Sequence, residues 1–281
     1  MGIQPPPDLR PKLVYNSATR WFRRDDDSTV VIDLSSAQFI DSCGLALVAA
    51  EAERACKAWR AVRFVAPSKW EIASYLSRMR LGTLLEQLGI DHALPPVNEH
   101  YVGPSLLELQ HFTPPDVDSI CATIHAAITS EGGSSEDAND FFRAIAEVMV
   151  NIEHSATEGG FAAMQVLPTP TNREITFAIA DTGIGLRGSL EPWHSVDDDM
   201  DAIRLAFTQG VSGTGERRGE GLFDLLTRVH RRGGQVHVWS GDVRGRIYAD
   251  SNEWRYDQLT TPYTGTMIYA RWTPSATARR K

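Results

Sequence analysis

The run Val30-Val31-Ile32-Asp33-Leu34 is short and β-branched, is bounded by Ser35-Ser36, and predicts a buried strand. The period then lengthens. Between Gly44 and Trp59, apolar Leu45, Val48, Ala49, Ala52, Cys56 and Trp59 recur at helical spacing, with Glu51, Glu53, Arg54 and Lys57 on the other side. A second strand is expected at Val62-Arg63-Phe64-Val65. A second helix is expected over 70–88, where Ile72, Leu76, Met79, Leu84, Leu85 and Leu88 form a stripe that stops at Gly89. Strand, helix, strand, helix in this order implies a small parallel sheet.

Between Asp91 and Pro115 the pattern loses its period and Pro95, Pro96, Pro104, Pro114 and Pro115 accumulate, so a linker is expected over 91–114. The second half opens with a helical stretch over 117–128, passes a Gly/Ser loop at 131–135, and enters a long helix over 137–156. Strand patterns follow at 161–167 and 174–180, separated by the turn-rich 168–172. A helix over 221–232 precedes strands at 235–240, 246–250 and 266–272. Helices and antiparallel strands therefore share an α+β layer, and no internal repeat is visible.

Composition narrows the function classes. With 281 residues, 42% hydrophobic and 23% charged, the chain is expected to fold as two globular domains, which excludes a disordered or fibrous protein. A formal charge of −8 without a Lys/Arg block disfavours nucleic acid as a partner. Cys43, Cys56 and Cys121 include no CxxC pair, so neither a disulfide framework nor a zinc ribbon is expected, and a reducing compartment fits. No leader pattern and no run of about 18 apolar residues occurs. The expectation is a cytoplasmic protein with no membrane partner.

Three polar constellations stand out. Glu147, Asn151 and His154 fall at i, i+4 and i+7 and share one helix face beside the apolar Phe141, Ile145, Val148, Met149 and Ile152. Asp181-Thr182-Gly183-Ile184-Gly185 follows a strand, placing a carboxylate at its end where glycines permit close backbone approach. Gly213, Gly215, Gly219 and Gly221 lead into a helix whose free N–H groups and dipole favour an anion.

In order and spacing these three resemble the N box and the glycine boxes of the gyrase, chaperone, histidine-kinase and mismatch-repair (GHKL) ATP-binding family, over residues 115–273. Glu147-x3-Asn151-x2-His154 looks like the N box, Asp181-x-Gly183-x-Gly185 like the first glycine box, Gly219-x-Gly221-Leu222 like the second, and Gly265-Thr266 like the terminal Gly-Thr box. The resemblance implies a two-layer α/β sandwich binding ATP and Mg²⁺. Asn151 would hold Mg²⁺ at the phosphates, and Asp181 would read the adenine amino group. Gly183 and Gly185 would make room at the adenine edge, Gly219, Gly221 and the adjoining Leu222 would form the phosphate loop, and Thr266 would support the adenine end. Glu147 would orient or deprotonate the attacking hydroxyl or water. His154 matches the anti-sigma serine-kinase branch, although a structural histidine is equally open. Residues 187–218 would be a mobile ATP lid, in which Arg217 and Arg218 are either γ-phosphate contacts or surface cations.

The front half has a resemblance of its own. Val30 to Leu34, Phe39-Ile40-Asp41-Ser42-Cys43-Gly44-Leu45 and the following helix and strand look like a sulphate-transporter and anti-sigma-factor-antagonist (STAS) domain over residues 12–90. In antagonists of that family, the serine after the aspartate is phosphorylated by a GHKL partner kinase, and Ser42 occupies that place. Asp41 or Ser42 as a plain helix N-cap is the competing reading. Cys43 replaces the family's second serine, and the opening strands reduce to a short segment at 13–15.

The expected fold class is thus α/β plus α+β: a small STAS-like domain followed by a GHKL sandwich. The expected function is that of an ATP-binding regulatory protein, a Mg-ATP-dependent serine/threonine kinase or ATPase of the anti-sigma type acting on a protein partner. The alternative is a non-catalytic ATP-gated switch. Members of the serine-kinase branch often dimerise.

Overall fold

Continuous burial of the central strand organises the first sheet. In strand β2 (Thr29–Asp33) the central Val30, Val31 and Ile32 are buried, between strand β1 (Phe22–Arg24) on one side and strand β3 (Ala61–Val65) on the other. β1 and β2 are antiparallel, whereas β2 and β3 are parallel, as the strand–helix–strand order predicts. The crossover is helix α1 (Ser42–Lys57), which buries Leu45, Val48, Ala49, Ala52 and Ala55. The computed structural model describes residues 22–24, 29–97, 106–151, 159–168, 173–213, 221–251 and 253–274, and the chain divides into two units, Met1–His100 and Tyr101–Lys281. The strand expected at 13–15 lies outside the described residues.

Two details of the first unit differ from the sequence reading. Trp59 does not extend the apolar face of α1: the helix ends at Lys57, and Trp59 takes φ 56° with 96% of its surface exposed. The helix expected over 70–88 is two helices, α2 (Trp70–Arg78) and α3 (Leu81–Gln87), separated by Arg80 at φ 65°. Met79 and Leu81 are two residues apart and would point to opposite sides of a continuous helix. A left-handed residue between them re-aims the second helix, and Leu76, Met79, Leu81 and Leu85 all become fully buried.

The second unit is a layer of helices on one face of a five-stranded antiparallel sheet. Strands β4 (Leu106–Phe112), β5 (Gly160–Pro168), β6 (Arg173–Ala180), β7 (Gln235–Tyr248) and β8 (Arg255–Trp272) are ordered β4-β5-β6-β8-β7. The period of two sends Ile175, Phe177 and Ile179 of β6, and Ile268, Ala270 and Trp272 of β8, into one core with the helices. From helix α4 (Val117–Ser130) come Ile120, Ile124 and Ile128; from α5 (Ser135–Asn151) Phe141, Ile145 and Val148; and from α8 (Gly221–Arg231) Leu225 and Val229. Phe141 stacks on Trp272 with centroids 4.2 Å apart, joining α5 to the sheet. Each such buried Ile, Val, Leu or Phe stabilises the layer by about 1.5–3 kcal/mol.

The 91–114 stretch, expected as a linker, contributes the edge strand β4, whose alternating Leu107 and Leu109 are buried. The strands expected at 235–240 and 246–250 are one strand, β7, interrupted by register shifts at Ser240/Gly241 and Gly241/Val243. Its partner β8 also begins earlier than the expected 266, and residues 259–262, including Pro262, fall in the gap of the register between Tyr263, opposite Gly241, and Gln258, opposite Val243. A residue without an N–H loses nothing in such a bulge. No helix among the described residues is long and apolar enough to cross a membrane.

Candidate functional site

β6 delivers Asp181 to the mouth of a cleft. The Asp181 N–H donates to the Thr266 carbonyl at 2.9 Å, which extends the β6/β8 ladder by one bond beyond the paired residues. Its Oδ1 accepts the Gly183 N–H at 2.7 Å, which fixes the carboxylate in a tight turn. The buried Tyr263 hydroxyl donates to the Asp181 carbonyl at 3.3 Å. Gly265 holds φ 100°, and a Cβ there would strike the Asp181 carbonyl oxygen, so this crossing of two backbones requires glycine. Asp181 itself is 2% exposed, and its carboxylate belongs to the scaffold as well as to the cleft.

The cleft measures about 800 Å³ including its solvent-open mouth. Val148, Ile179, Leu186 and Ile268 supply apolar walls, and Asn151, Asp181 and Thr266 supply polar groups. This mixture of apolar lining and a few placed polar groups is what small-molecule sites use. Asn151 is exposed at the last described position of α5. One turn back, Glu147 packs against Gly221 at the start of α8, where an added Cβ would fall 2.7–3.0 Å from the Glu147 side-chain carbons. Gly221 therefore lets α8 begin directly beside Glu147, and the helix N-terminus opens toward the cleft.

Of the residues read from the sequence, Asn151, Asp181, Gly185, Gly221, Leu222 and Thr266 line this one cleft. Gly183 holds the Asp181 carboxylate, and Glu147 stands behind Gly221 without lining the cavity. Gly215, Gly219, Arg217, Arg218 and His154 lie outside the described residues. The described residues contain no group of three His, Cys, Asp or Glu able to hold a metal ion.

The segment expected as a mobile lid is, over its described part, a packed wall. Helix α6 (Gly185–Leu190) and helix α7 (Asp199–Ala206) bury Leu190, Ala202, Ile203 and Ala206 in the main core, joined there by Phe207. The sequence signal was Ala202-Ile203 followed by Ala206-Phe207 at helical spacing. The acidic run at 197–199 starts α7: Asp198 Oδ1 accepts the Asp201 N–H at 2.8 Å, and Asp199 Oδ2 accepts the Asp242 N–H at 2.9 Å. Burial raises the Asp199 carboxyl above the usual aspartate range, outweighing the hydrogen bond from the Asp242 N–H, which lowers it. Ser189, Leu190, Ala206, Val211 and Ser212 of this segment, to which the sequence reading gave no individual role, line the cleft together with Gly213 of the predicted glycine-rich loop.

Ser42 belongs to the other unit and is fully buried as the first residue of α1. Asp41 is the N-cap, its Oδ1 accepting the Gly44 N–H at 3.0 Å. With Ser42 at 0% exposure, its hydroxyl is closed to a phosphoryl donor in this structure. Cys43 is equally buried, and burial pushes the Cys121 thiol up to about 12, so neither cysteine is a ready nucleophile. No family model matches the chain, and no curated protein matches it in sequence.

Proposed function

We propose that the second unit binds Mg-ATP in this cleft and that the chain is an ATP-dependent regulatory protein of GHKL type with a STAS-like first unit. The observation that carries the reading is the convergence on one cavity of Asp181, Asn151 and the start of α8, three features separated in sequence and each suited to a different part of a nucleotide. A carboxylate pinned by Gly183 is a hydrogen-bond acceptor for an exocyclic amino group. The apolar walls from Ile179, Leu186 and Ile268 suit the faces of a purine, and the α8 N-terminus suits phosphate.

The donor set fits an ion that arrives with the phosphates. Magnesium needs only one or two protein oxygens when phosphates and water supply the rest, and Asn151 offers one amide oxygen at the cleft rim. The described lining residues include no Lys or Arg, and residues 101–281 hold 24 acidic against 16 basic side chains, so the ion would supply the neutralising charge for the phosphates. Glu147, beside Gly221, would accept the proton of an attacking hydroxyl or water. Asn151 would orient the phosphates, and Asp181 would select adenine over guanine through its acceptor-only carboxylate.

The sealed position of Ser42 favours a second form of the reading, in which nucleotide gates binding of a protein partner and phosphoryl transfer to the chain's own first unit does not occur. Incubation with γ-labelled Mg-ATP, separating labelled protein from free phosphate, tests both. The kinase form requires label on this chain or on an added partner protein that disappears in Glu147→Ala. Free phosphate alone marks an ATPase, and nucleotide binding without turnover marks the switch. Absence of any nucleotide binding would remove the proposal altogether.

A further inference from the structure

We propose that the bulge Ser240-Gly241-Asp242 in β7 is a clamp that presets the wall of the cleft, with Ser240 acting as a positioning residue for the bound ligand. The ligand's identity rests on the nucleotide reading; the clamp does not. Ser240 is 2% exposed, and its Oγ accepts the Leu186 N–H at 2.9 Å across 54 residues of sequence. Two residues on, the Asp242 N–H donates to Asp199 Oδ2 at 2.9 Å. Between them Gly241 sits at φ 61°, and a Cβ there would collide with the Asp199 carboxylate. The ladder between β7 and β8 shifts register on both sides of Gly241, which frees these groups to face away from the sheet.

Three consecutive residues thus hold the first turn of α6 and the first turn of α7. α6 contributes Gly185, Leu186, Ser189 and Leu190 to the cleft, and α7 contributes Ala206. The same α6 start is four residues from Asp181, so the hydroxyl of Ser240 sets the distance between the wall and the carboxylate that would read the ligand. A wall ordered during folding is not ordered again on binding, and this preorganisation raises affinity without adding a contact to the ligand. Ser240 is absent from the lining residues and meets the cleft through two that line it, Leu186, whose N–H it holds, and Thr266, its partner across β7 and β8; exchange at Leu186 isolates the first route.

The test combines amide hydrogen exchange at Leu186 and Asp242 with titration of fluorescently labelled Mg-ATP, in the full chain and in Ser240→Ala and Ser240→Thr. Removing the acceptor leaves the Leu186 N–H unpaired, so Ser240→Ala is expected to exchange about tenfold faster at Leu186 and to bind about tenfold more weakly. Ser240→Thr, which keeps the hydroxyl, is expected to restore both. Unchanged exchange at Leu186 in Ser240→Ala overturns the clamp. Faster exchange with unchanged affinity overturns the positioning role. If the unsubstituted chain binds no nucleotide, the ATP reading fails by itself, and exchange at Leu186 in Ser240→Ala still decides the clamp in either direction.

Discussion

Asp41 and Asp181 are the same device in two settings. Each is buried, each follows a strand or its short loop, and each directs Oδ1 at a backbone N–H two or three residues on. After Asp41 the chain turns straight into α1, and every residue from Ser42 to Ala50 is buried, so the carboxylate and its neighbouring hydroxyl are sealed into the core. After Asp181 the glycines at 183 and 185 delay the packing, and the bulge of β7 holds the following helices off as a wall. An acid beyond a strand can face a ligand-sized cavity only if the chain that follows is kept from closing over it. The first unit spends its aspartate on a helix start, and the second keeps a cavity in front of its own.

The largest effect separates the two aspartates directly. Asp181→Asn keeps the oxygen that accepts the Gly183 N–H but replaces the rest of the acceptor with an N–H donor, so labelled ATP is expected to bind about a hundredfold more weakly with little change in unfolding midpoint. Asp41→Asn, titrated in parallel, is expected to leave nucleotide affinity alone. Equal affinity in Asp181→Asn and the unsubstituted chain would make both aspartates purely structural and dissolve the contrast.

A smaller effect distinguishes the units by pH. In the second unit His237 packs among Trp239 and Tyr269, each ring 5.9 Å away, and burial, together with Arg244, Arg246 and Arg271, holds its imidazole well below the usual range. Below about pH 6.5 the unfolded chain takes up a proton that the fold refuses, so stability is lost as pH falls, by up to about 1.4 kcal/mol per pH unit. In the first unit the Tyr75 hydroxyl is buried with no hydrogen-bond partner among the described residues, and burial, with Asp41 nearby, raises it well above the usual range. There the unfolded chain releases a proton above about pH 10 that the fold retains, and stability is lost as pH rises at a similar slope. Denaturant midpoints across pH are expected to show His237→Phe flattening the acid limb and Tyr75→Phe the alkaline limb. The reverse assignment would break the pairing of groups with units.

The sequence was most readable where one period ran uninterrupted. The apolar spacing of α1, the β-branched β2 and the alternating β6 needed only local information, and the glycines and carboxylates of the cleft, ordinary one by one at strand and helix ends, stood out through their joint order and spacing. Legibility failed where two signals overlapped. The proline density of 91–114 hid the alternation of Leu107 and Leu109 in β4, and the three aspartates at 197–199 suggested a solvated lid although two of them anchor the start of α7. The single helix over 70–88 concealed a change of face between Met79 and Leu81 that only tertiary burial enforces. Ser240 carried no signal, because a serine on a strand is ordinary until a helix start 54 residues away is known to meet it.

The smallest effect tests the sealed side of the comparison. If Asp41 serves α1 alone, Asp41→Ala should cost the first unit about 1 kcal/mol, the usual worth of an N-cap, because the buried Gly44 N–H loses its acceptor. Asp41→Asn keeps an oxygen in place and should cost only a fraction of that. Removing the charge should also bring the Tyr75 hydroxyl part of the way back toward its ordinary range, burial remaining, so the alkaline limb should still begin near pH 10, where the unfolded chain ionises, but end at lower pH with a smaller total loss in both variants. A denaturant series on Asp41→Ala and Asp41→Asn, read beside the nucleotide titration, decides the matter. Loss of stability with ATP affinity intact leaves Asp41 a cap, whereas loss of affinity in Asp41→Asn would mean that the buried corner of the first unit communicates with the cleft of the second.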